Sequence, residues 1–321
     1  MYIIMYHYVR RLKYSRFPEI KALDLKFFQQ QIQYLKENFQ IVTMEQVLES
    51  VTENYELPED AVLLTFDDGY CDHYSNVFPI LQKEGIQGSF FIPGKTFIEH
   101  KLLDVNKIHF ILASAKIRDI IKDLCEELDY YRGKEYDFPS NRELYRIYAK
   151  DERFDNKEVI FVKRILQTAL PERLRNIISS KLFQKYLGLS EEKFAYELYL
   201  TYEQIRYMKS SGMFIGIHGY DHKWLGELSE QEMQKDIDKS LEAMSDFIEV
   251  DRWVMNYPYG SYNQEMIEYI KGKGCELGLT TDVRIADLLS DNKYCLPRLD
   301  TNDFPPKSEN YRNIKRYEVC I

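Results

Sequence analysis

The chain has 321 residues, of which 45% are hydrophobic and 30% charged, with a formal net charge of −9. That length and composition support one packed, barrel-sized domain with insertions and exclude intrinsic disorder. The acidic balance argues against nucleic acid as a partner and against broad docking on anionic lipid.

In chain order, Y-I-I-M-Y at 2–6 reads as a buried strand. Residues 23–39 carry the apolar period of an amphipathic helix, and Thr43 is placed to cap the next one. A-V-L-L-T-F at 61–66 predicts a strand buried on both faces, residues 74–84 a helix stopped by Gly85, and G-S-F-F-I-P at 88–93 another strand. The alternation then breaks. Residues 103–197 give helical patterns without a clear buried strand, and their apolar content marks an inserted helical subdomain, not a linker. Alternation resumes with a helix near 201–209, a strand at 212–217, a long helix over 229–247, a strand at 252–257, a helix near 263–271 and a strand from Cys275. No internal repeat is present. Buried strands alternating with amphipathic helices predict an α/β fold with a parallel sheet, and this length favours a β/α barrel. The expected division is a barrel from 1–102 and 198–321 with a helical insertion at 103–197.

Five cysteines, at 71, 125, 275, 295 and 320, are scattered without C-x-x-C spacing. They predict a reduced chain with neither a disulfide framework nor a zinc–cysteine site. Residues 1–9 are apolar but lack a basic lead and a small-residue cleavage site, so no signal peptide is expected. No run approaches a membrane span. The expected location is the cytoplasm.

Each polar cluster of interest follows a predicted strand: His7, the pair Asp67–Asp68, His218 with His222, and Pro258-Tyr259-Gly260. In a β/α barrel the strand C-termini share one face, where active sites lie, so four clusters converge on one mouth. His218 and His222 are four apart, which predicts both imidazoles on one face of a helical turn. A carboxylate plus two imidazoles is an open ligand set for zinc and similar ions, with room left for water. A second carboxylate beside the first can act as general base, and Asp67–Asp68 offers one residue for each role. A turn is the ordinary alternative for D-D-G, and a surface pair is the alternative for the histidines. The two adjacent aspartates do not fit a haloacid-dehalogenase-type phosphatase, which needs one residue between them. His73, His100 and His109 are read as structural, with His73 near enough in sequence to approach the site.

T-F-D-D-G at 65–69, H-G-Y-D-H at 218–222 followed by L-G-E-L-S, and Y-P-Y-G-S-Y at 257–262 resemble, in order, the first three motifs of the polysaccharide deacetylases, the NodB-homology group or carbohydrate esterase family 4. The stretch from 63 to 93 looks like that family throughout, and the insertion lies outside the match. The resemblance implies a distorted (β/α)7–8 barrel of NodB type with a helical insertion. It implies a metal-dependent hydrolase that removes an N-acetyl or other N-acyl group from an amino sugar. Asp67 would be the catalytic base, and Asp68, His218 and His222 would hold a divalent metal, zinc first, with cobalt or nickel as alternatives. The Tyr259 backbone N–H would help hold the oxyanion.

Three departures from the pattern stand out. Asn256 occupies the place where the family often has Arg, and Arg298 in L-P-R-L-D is the candidate substitute partner of Asp67. Gly219 stands where Ser or Thr is frequent. No His follows His222, so the usual C-terminal acid is missing. The N-terminal strand ending in Y-H resembles the permuted members, in which His7 would be the general acid. The expected substrate is a nucleotide- or lipid-linked N-acetylated amino sugar in surface-glycan synthesis, its pocket shaped by the insertion. The competing reading is a catalytically impaired relative that binds a glycan or a protein partner.

Overall fold

The computed structural model describes residues 1–53 and 55–314. Its centre is an eight-stranded sheet with strands β1 (Tyr2–Tyr6), β2 (Gln40–Ile41), β3 (Ala61–Asp67), β4 (Ser89–Ile92), β5 (Phe214–Ile217), β6 (Trp253–Asn256), β7 (Cys275–Leu279) and β8 (Leu299–Asp300). The order is β8-β1-β3-β4-β5-β6-β7, with β2 beside the start of β3, and every pairing is parallel. β7 and β8 end the order, so the wall is an incomplete barrel. A bridge from Leu279 to Leu296 and the bond from the Arg298 backbone N–H to Asp282 O (2.9 Å) carry the chain between those two ends.

Parallel strands covered on both faces read as continuous apolar runs, and all seven residues of β3 are buried. Alternate residues go to different layers because side chains alternate along a strand. Ile4, Val62, Leu64 and Phe66 pack with the helices that connect the strands. Ile3, Leu63, Phe91, Val254 and Leu277 pack with one another on the opposite, concave face. Counting on by twos from this inner set leads to His7, Asp67 and Asn256 at the strand C-termini. Side-chain alternation therefore aims these residues into the barrel mouth before any loop is considered.

The helices begin where the sequence supplies caps. Thr201 and Ser229 each form a reciprocal capping box with the residue three further on, Gln204 and Glu232, at the starts of Tyr202–Ser210 and Glu230–Met244. The helix expected over 74–84 begins instead as a π-type turn, His73–Val77, and becomes α-helical only at Phe78–Glu84.

The chain divides into two compact units, one of residues 1–11, 22–100 and 196–321, the other of residues 12–21 and 101–195. The second unit is helical, with Asp104–Ser114, Ile117–Tyr131 and Glu172–Leu187 its longest elements. Residues 12–21 belong to it because Phe17 sets its ring edge-on against Phe110 (4.9 Å) and Phe194 (5.8 Å), and Lys21 pairs with Asp155. Periodicity carries no sign of that long-range contribution. Cys71, Cys125, Cys275 and Cys295 are free thiols, and Cys320 lies outside the described residues. Among the described residues no helix is long and apolar enough to cross a membrane.

Candidate metal centre and catalytic site

Asp68 follows β3 directly, with φ 75°. Its Oδ1 lies 3.2 Å from Nε2 of His218 and 3.2 Å from Nε2 of His222, and all three residues are buried. Their ligand atoms lie within 4.8 Å of one another. His218 Nδ1 is 2.7 Å from the Asn256 backbone oxygen. A carbonyl only accepts, so Nδ1 carries a proton, and in the neutral imidazole Nε2 turns a bare lone pair toward Asp68. Asp68 Oδ1 has no hydrogen-bond partner despite full burial, a condition that costs about 1–3 kcal/mol or more for a charged acceptor. A divalent cation answers both features. Ligands around a tetrahedral ion with bonds of about 2.0–2.1 Å stand roughly 3.3 Å apart, which fits the carboxylate–imidazole separations. Burial pushes the Asp68 carboxyl up, but the His222 and His218 imidazoles, when protonated in the metal-free chain, hold it well below the usual carboxylate range.

The histidine pair corrects one expectation. His218 and His222 share no helical turn, because residues 218–224 form a loop and His222 adopts φ 51°. Asp236, on the buried face of Glu230–Met244, shapes that loop by accepting from the backbone N–H of Tyr220 (2.7 Å) and Asp221 (3.2 Å). Gly219 has φ +66°, and a Cβ there would come within 3.2 Å of Asp236 Oδ1 and 3.3 Å of Pro258 Cγ. This crowding accounts for glycine at the position. Among the described residues the non-glycine positive-φ positions are Asp68, His222, Tyr259 and His100. Three of the four are site residues, and each such conformation costs of order 1–3 kcal/mol.

Asp67 is held differently. Arg298 Nη1 donates to Oδ1 and Nη2 to Oδ2, both at 2.8 Å, and Asn256 Nδ2 donates to Oδ1 at 2.6 Å. Arg298 is itself fixed by bonds to Thr280 O (2.8 Å), Thr65 Oγ1 (3.1 Å) and Asn256 Oδ1 (2.8 Å). Burial raises the Asp67 carboxyl, but Arg298, with His218 and His7, outweighs it and holds the group below its ordinary value. Asp67 is thus an ionised acceptor beside the three ligand atoms. Asn256, noted in the sequence only as a departure, joins the same network.

His7 Nε2 lies 3.9 Å from Asp67 Oδ2, with the side chain 39% exposed, so an imidazole stands at the rim beside the carboxylate. Tyr259 occupies the turn Pro258–Gly260 with φ 58°. Its ring stacks on Trp224 (4.4 Å) and meets the edge of His222 (4.6 Å).

The structure brings together all seven residues singled out in the sequence. It adds two that sequence reasoning missed. The Tyr70 hydroxyl donates to Asp68 Oδ2, and its ring stacks on Tyr8 at 3.9 Å. Its only sequence signal was a place two residues after Asp68. Asp236 had a clearer one, an acid on the apolar stripe with Met233 and Ile237.

A sequence model described as polysaccharide deacetylase matches residues 54–127 and 184–278, just over half of the chain. The Bacillus subtilis (strain 168) protein YxkH, a proposed polysaccharide deacetylase, is 21% identical over 281 residues, spanning 87% of this chain and 64% of that protein. The poly-β-1,6-N-acetyl-D-glucosamine N-deacetylase of Escherichia coli (strain K12) is 44% identical over 69 residues, 21% of this chain and 10% of that protein. The chain therefore spans less than two thirds of the length of either relative. The Streptococcus pyogenes deacetylase PplD, solved with acetate, superposes with a TM-score of 0.55 at 18% identity, covering 98% of this chain and 96% of that one. At that identity the likeness is one of fold.

Proposed function

Because the chain belongs to the polysaccharide deacetylase family, we propose that it is a metal-dependent hydrolase that removes the N-acetyl group from an amino sugar within a surface glycan. One observation carries the metal dependence: a buried, unbonded Asp68 Oδ1 3.2 Å from two imidazole nitrogens. Asp68, His218 and His222 would hold the ion, zinc first by ligand type, with cobalt or nickel as alternatives. When bound, the ion supplies Lewis-acid polarisation of the amide carbonyl and a lowered pKa for water.

The chain's own groups do the rest. Asp67, kept ionised by Arg298, takes a proton from the attacking water as the water oxygen bonds to the carbonyl carbon. The Tyr259 backbone N–H donates to the oxygen on which negative charge develops. His7, in its protonated form, gives its proton to the amide nitrogen as the C–N bond breaks and the electron pair moves to nitrogen. The products are acetate and a free amine. Arg298 and Asn256 keep Asp67 oriented throughout.

For substrate, the E. coli relative's name puts a β-1,6-linked N-acetylglucosamine polymer first. The nucleotide- and lipid-linked amino sugars expected from the sequence form the other arms of the test. The experiment assays the chain after chelation and after reloading with zinc, cobalt or nickel on all three substrate classes, reading acetate and free amine together. Acetate release that depends on metal and is lost in Asp67→Asn supports the proposal. Release that persists without metal, or full activity in Asp67→Asn, overturns it. Cell fractionation locates the protein beside the polymer or beside its cytoplasmic precursors.

A further inference from the structure

His73 is fully buried inside an aromatic collar, with the rings of Phe66, Tyr70 and Phe90 each 5.6 Å from its own. An apolar ring would fill that space without the cost of burying an imidazole. The imidazole Nε2 bonds to the His7 backbone oxygen at 2.9 Å. Because a carbonyl only accepts, Nε2 holds the hydrogen. Nδ1 is buried and has no hydrogen-bond partner. Half of the side chain's polar capacity is left unused so that the other half can reach one particular carbonyl. A buried polar group left half-satisfied in this way calls for a functional reason.

The location of that carbonyl supplies the reason. β1 ends at Tyr6, paired with Phe66, so His7 lies just beyond the sheet ladder. Three side chains from one short stretch grip the segment that follows. Asp72 accepts from Arg10 Nε at 2.5 Å, His73 donates to His7 O, and Asn76 Nδ2 donates to Val9 O at 2.8 Å. His73 and Asn76 lie in the π-type turn, whose additional residue per turn is a feature often found at functional sites. The segment that leaves β3 at Asp67 and Asp68 therefore continues into a clamp on the chain that follows β1 and carries His7.

We propose that His73 is a positioning residue: through its bond to the His7 carbonyl, and with Asn76 and Asp72 holding the same segment, it fixes the His7 imidazole beside Asp67 at the distance needed to protonate the leaving amine. The inference rests on the reading of His7 as the proton donor. It extends that reading by assigning the donor's placement to a buried group that touches no substrate. Burial pushes the His73 imidazole down to about 4, so it stays a neutral Nε2–H donor across the working range.

The test uses the full metal-loaded chain and two acetyl substrates. An N-acetylglucosamine oligomer needs its leaving nitrogen protonated. 4-Nitrophenyl acetate does not, because nitrophenolate leaves as the anion. His73→Phe keeps the ring and removes the donor, while His73→Gln restores an N–H. In His73→Phe, kcat on the oligomer falls roughly tenfold or more, KM holds, and the ratio of amide to ester turnover falls with kcat. His73→Gln recovers part of that ratio. An unchanged ratio in His73→Phe, whether both rates hold or both fall together, overturns the inference. His7→Ala separates the two levels. If it hydrolyses the oligomer at the parent rate, the donor reading fails; if it is slow while His73→Phe is not, only the positioning inference fails. Imidazole 15N resonances of the unmutated chain give an independent reading that does not depend on a variant folding. His73 is expected as the Nε2–H tautomer, and an Nδ1–H tautomer would refute the clamp.

Discussion

Arg298 and Asp67 stand 231 residues apart in the chain and meet through two parallel bonds of 2.8 Å, with their side chains 0% and 2% exposed. Such a pair is held by geometry more than by charge alone, since the guanidinium fork matches both carboxylate oxygens at once. Its consequence is a carboxylate that is ionised and cannot turn. Asn256 fills the space between them, bonded to both. An amide at that position therefore links Asp67 to an arginine that directly precedes another strand, β8.

Removing that arginine leaves a buried carboxylate without its partner. Arg298→Met is expected to lower unfolding stability by about 3–5 kcal/mol and to depress kcat on any acetyl substrate. Denaturant unfolding of the chelated protein measures the first effect and acetate release the second. A stability loss under about 1 kcal/mol would show that Asn256 alone suffices.

Tyr70 would act on a metal held by Asp68 through that carboxylate, because its hydroxyl donates to Oδ2 while Oδ1 is the oxygen 3.2 Å from the histidines. Removing such a partner typically costs about 10–100-fold in metal affinity. Tyr70→Phe keeps the stack on Tyr8 and is expected to fall in that range in a chelator competition.

Asp236 holds two backbone N–H groups of the loop between the histidines. Asp236→Ala leaves both without an acceptor, at a cost of about 1–3 kcal/mol each. Metal affinity is expected to fall further than stability, because His222 depends on that loop for its left-handed backbone. Calorimetric zinc titration beside thermal unfolding compares the two losses.

The buried His73 makes stability depend on pH. Its folded value, about 4, lies below the ordinary 6.5, with burial the main cause, partly offset by its bond to His7 and by the charges of Asp68 and Asp67. A group depressed in the folded state contributes stability that is fully present above the unfolded value and lost as pH falls toward the folded one. Between about pH 6.5 and 4 the unfolded chain takes up a proton that the folded chain refuses, which costs about 3 kcal/mol. His73→Phe is expected to flatten that part of the stability curve in the metal-free chain. A parent curve that is already flat from pH 7 to 4.5 would contradict the burial argument.

Much of the site was legible from spacing and periodicity. Clusters placed just after apolar runs identified His7, Asp67, Asp68, His218, His222 and Tyr259 as strand-end residues, because a buried parallel strand is a continuous apolar run and its end is where polarity returns. Two-residue alternation aims His7, Asp67 and Asn256 inward, since Ile3, Leu63 and Val254 face the same side. Local rules failed where the chain leaves regular geometry. The spacing of His218 and His222 suggested a helical turn, but a loop with Gly219 and His222 at positive φ brings the rings together.

By itself the sequence determined which residue types stand at the mouth of the barrel, because strand parity and motif order are local properties. Only the tertiary structure decided which of them touch. Arg298 reaches Asp67 because parallel pairing sets β8 beside β1 and β1 beside β3. His73 reaches the His7 carbonyl because β1 and β3 end side by side, and Phe17 joins the second unit through aromatic contacts far along the chain. Spacing along the chain reports neighbours within a turn or a strand. Contacts between strand ends depend on register and sheet order, which form only when the whole core closes.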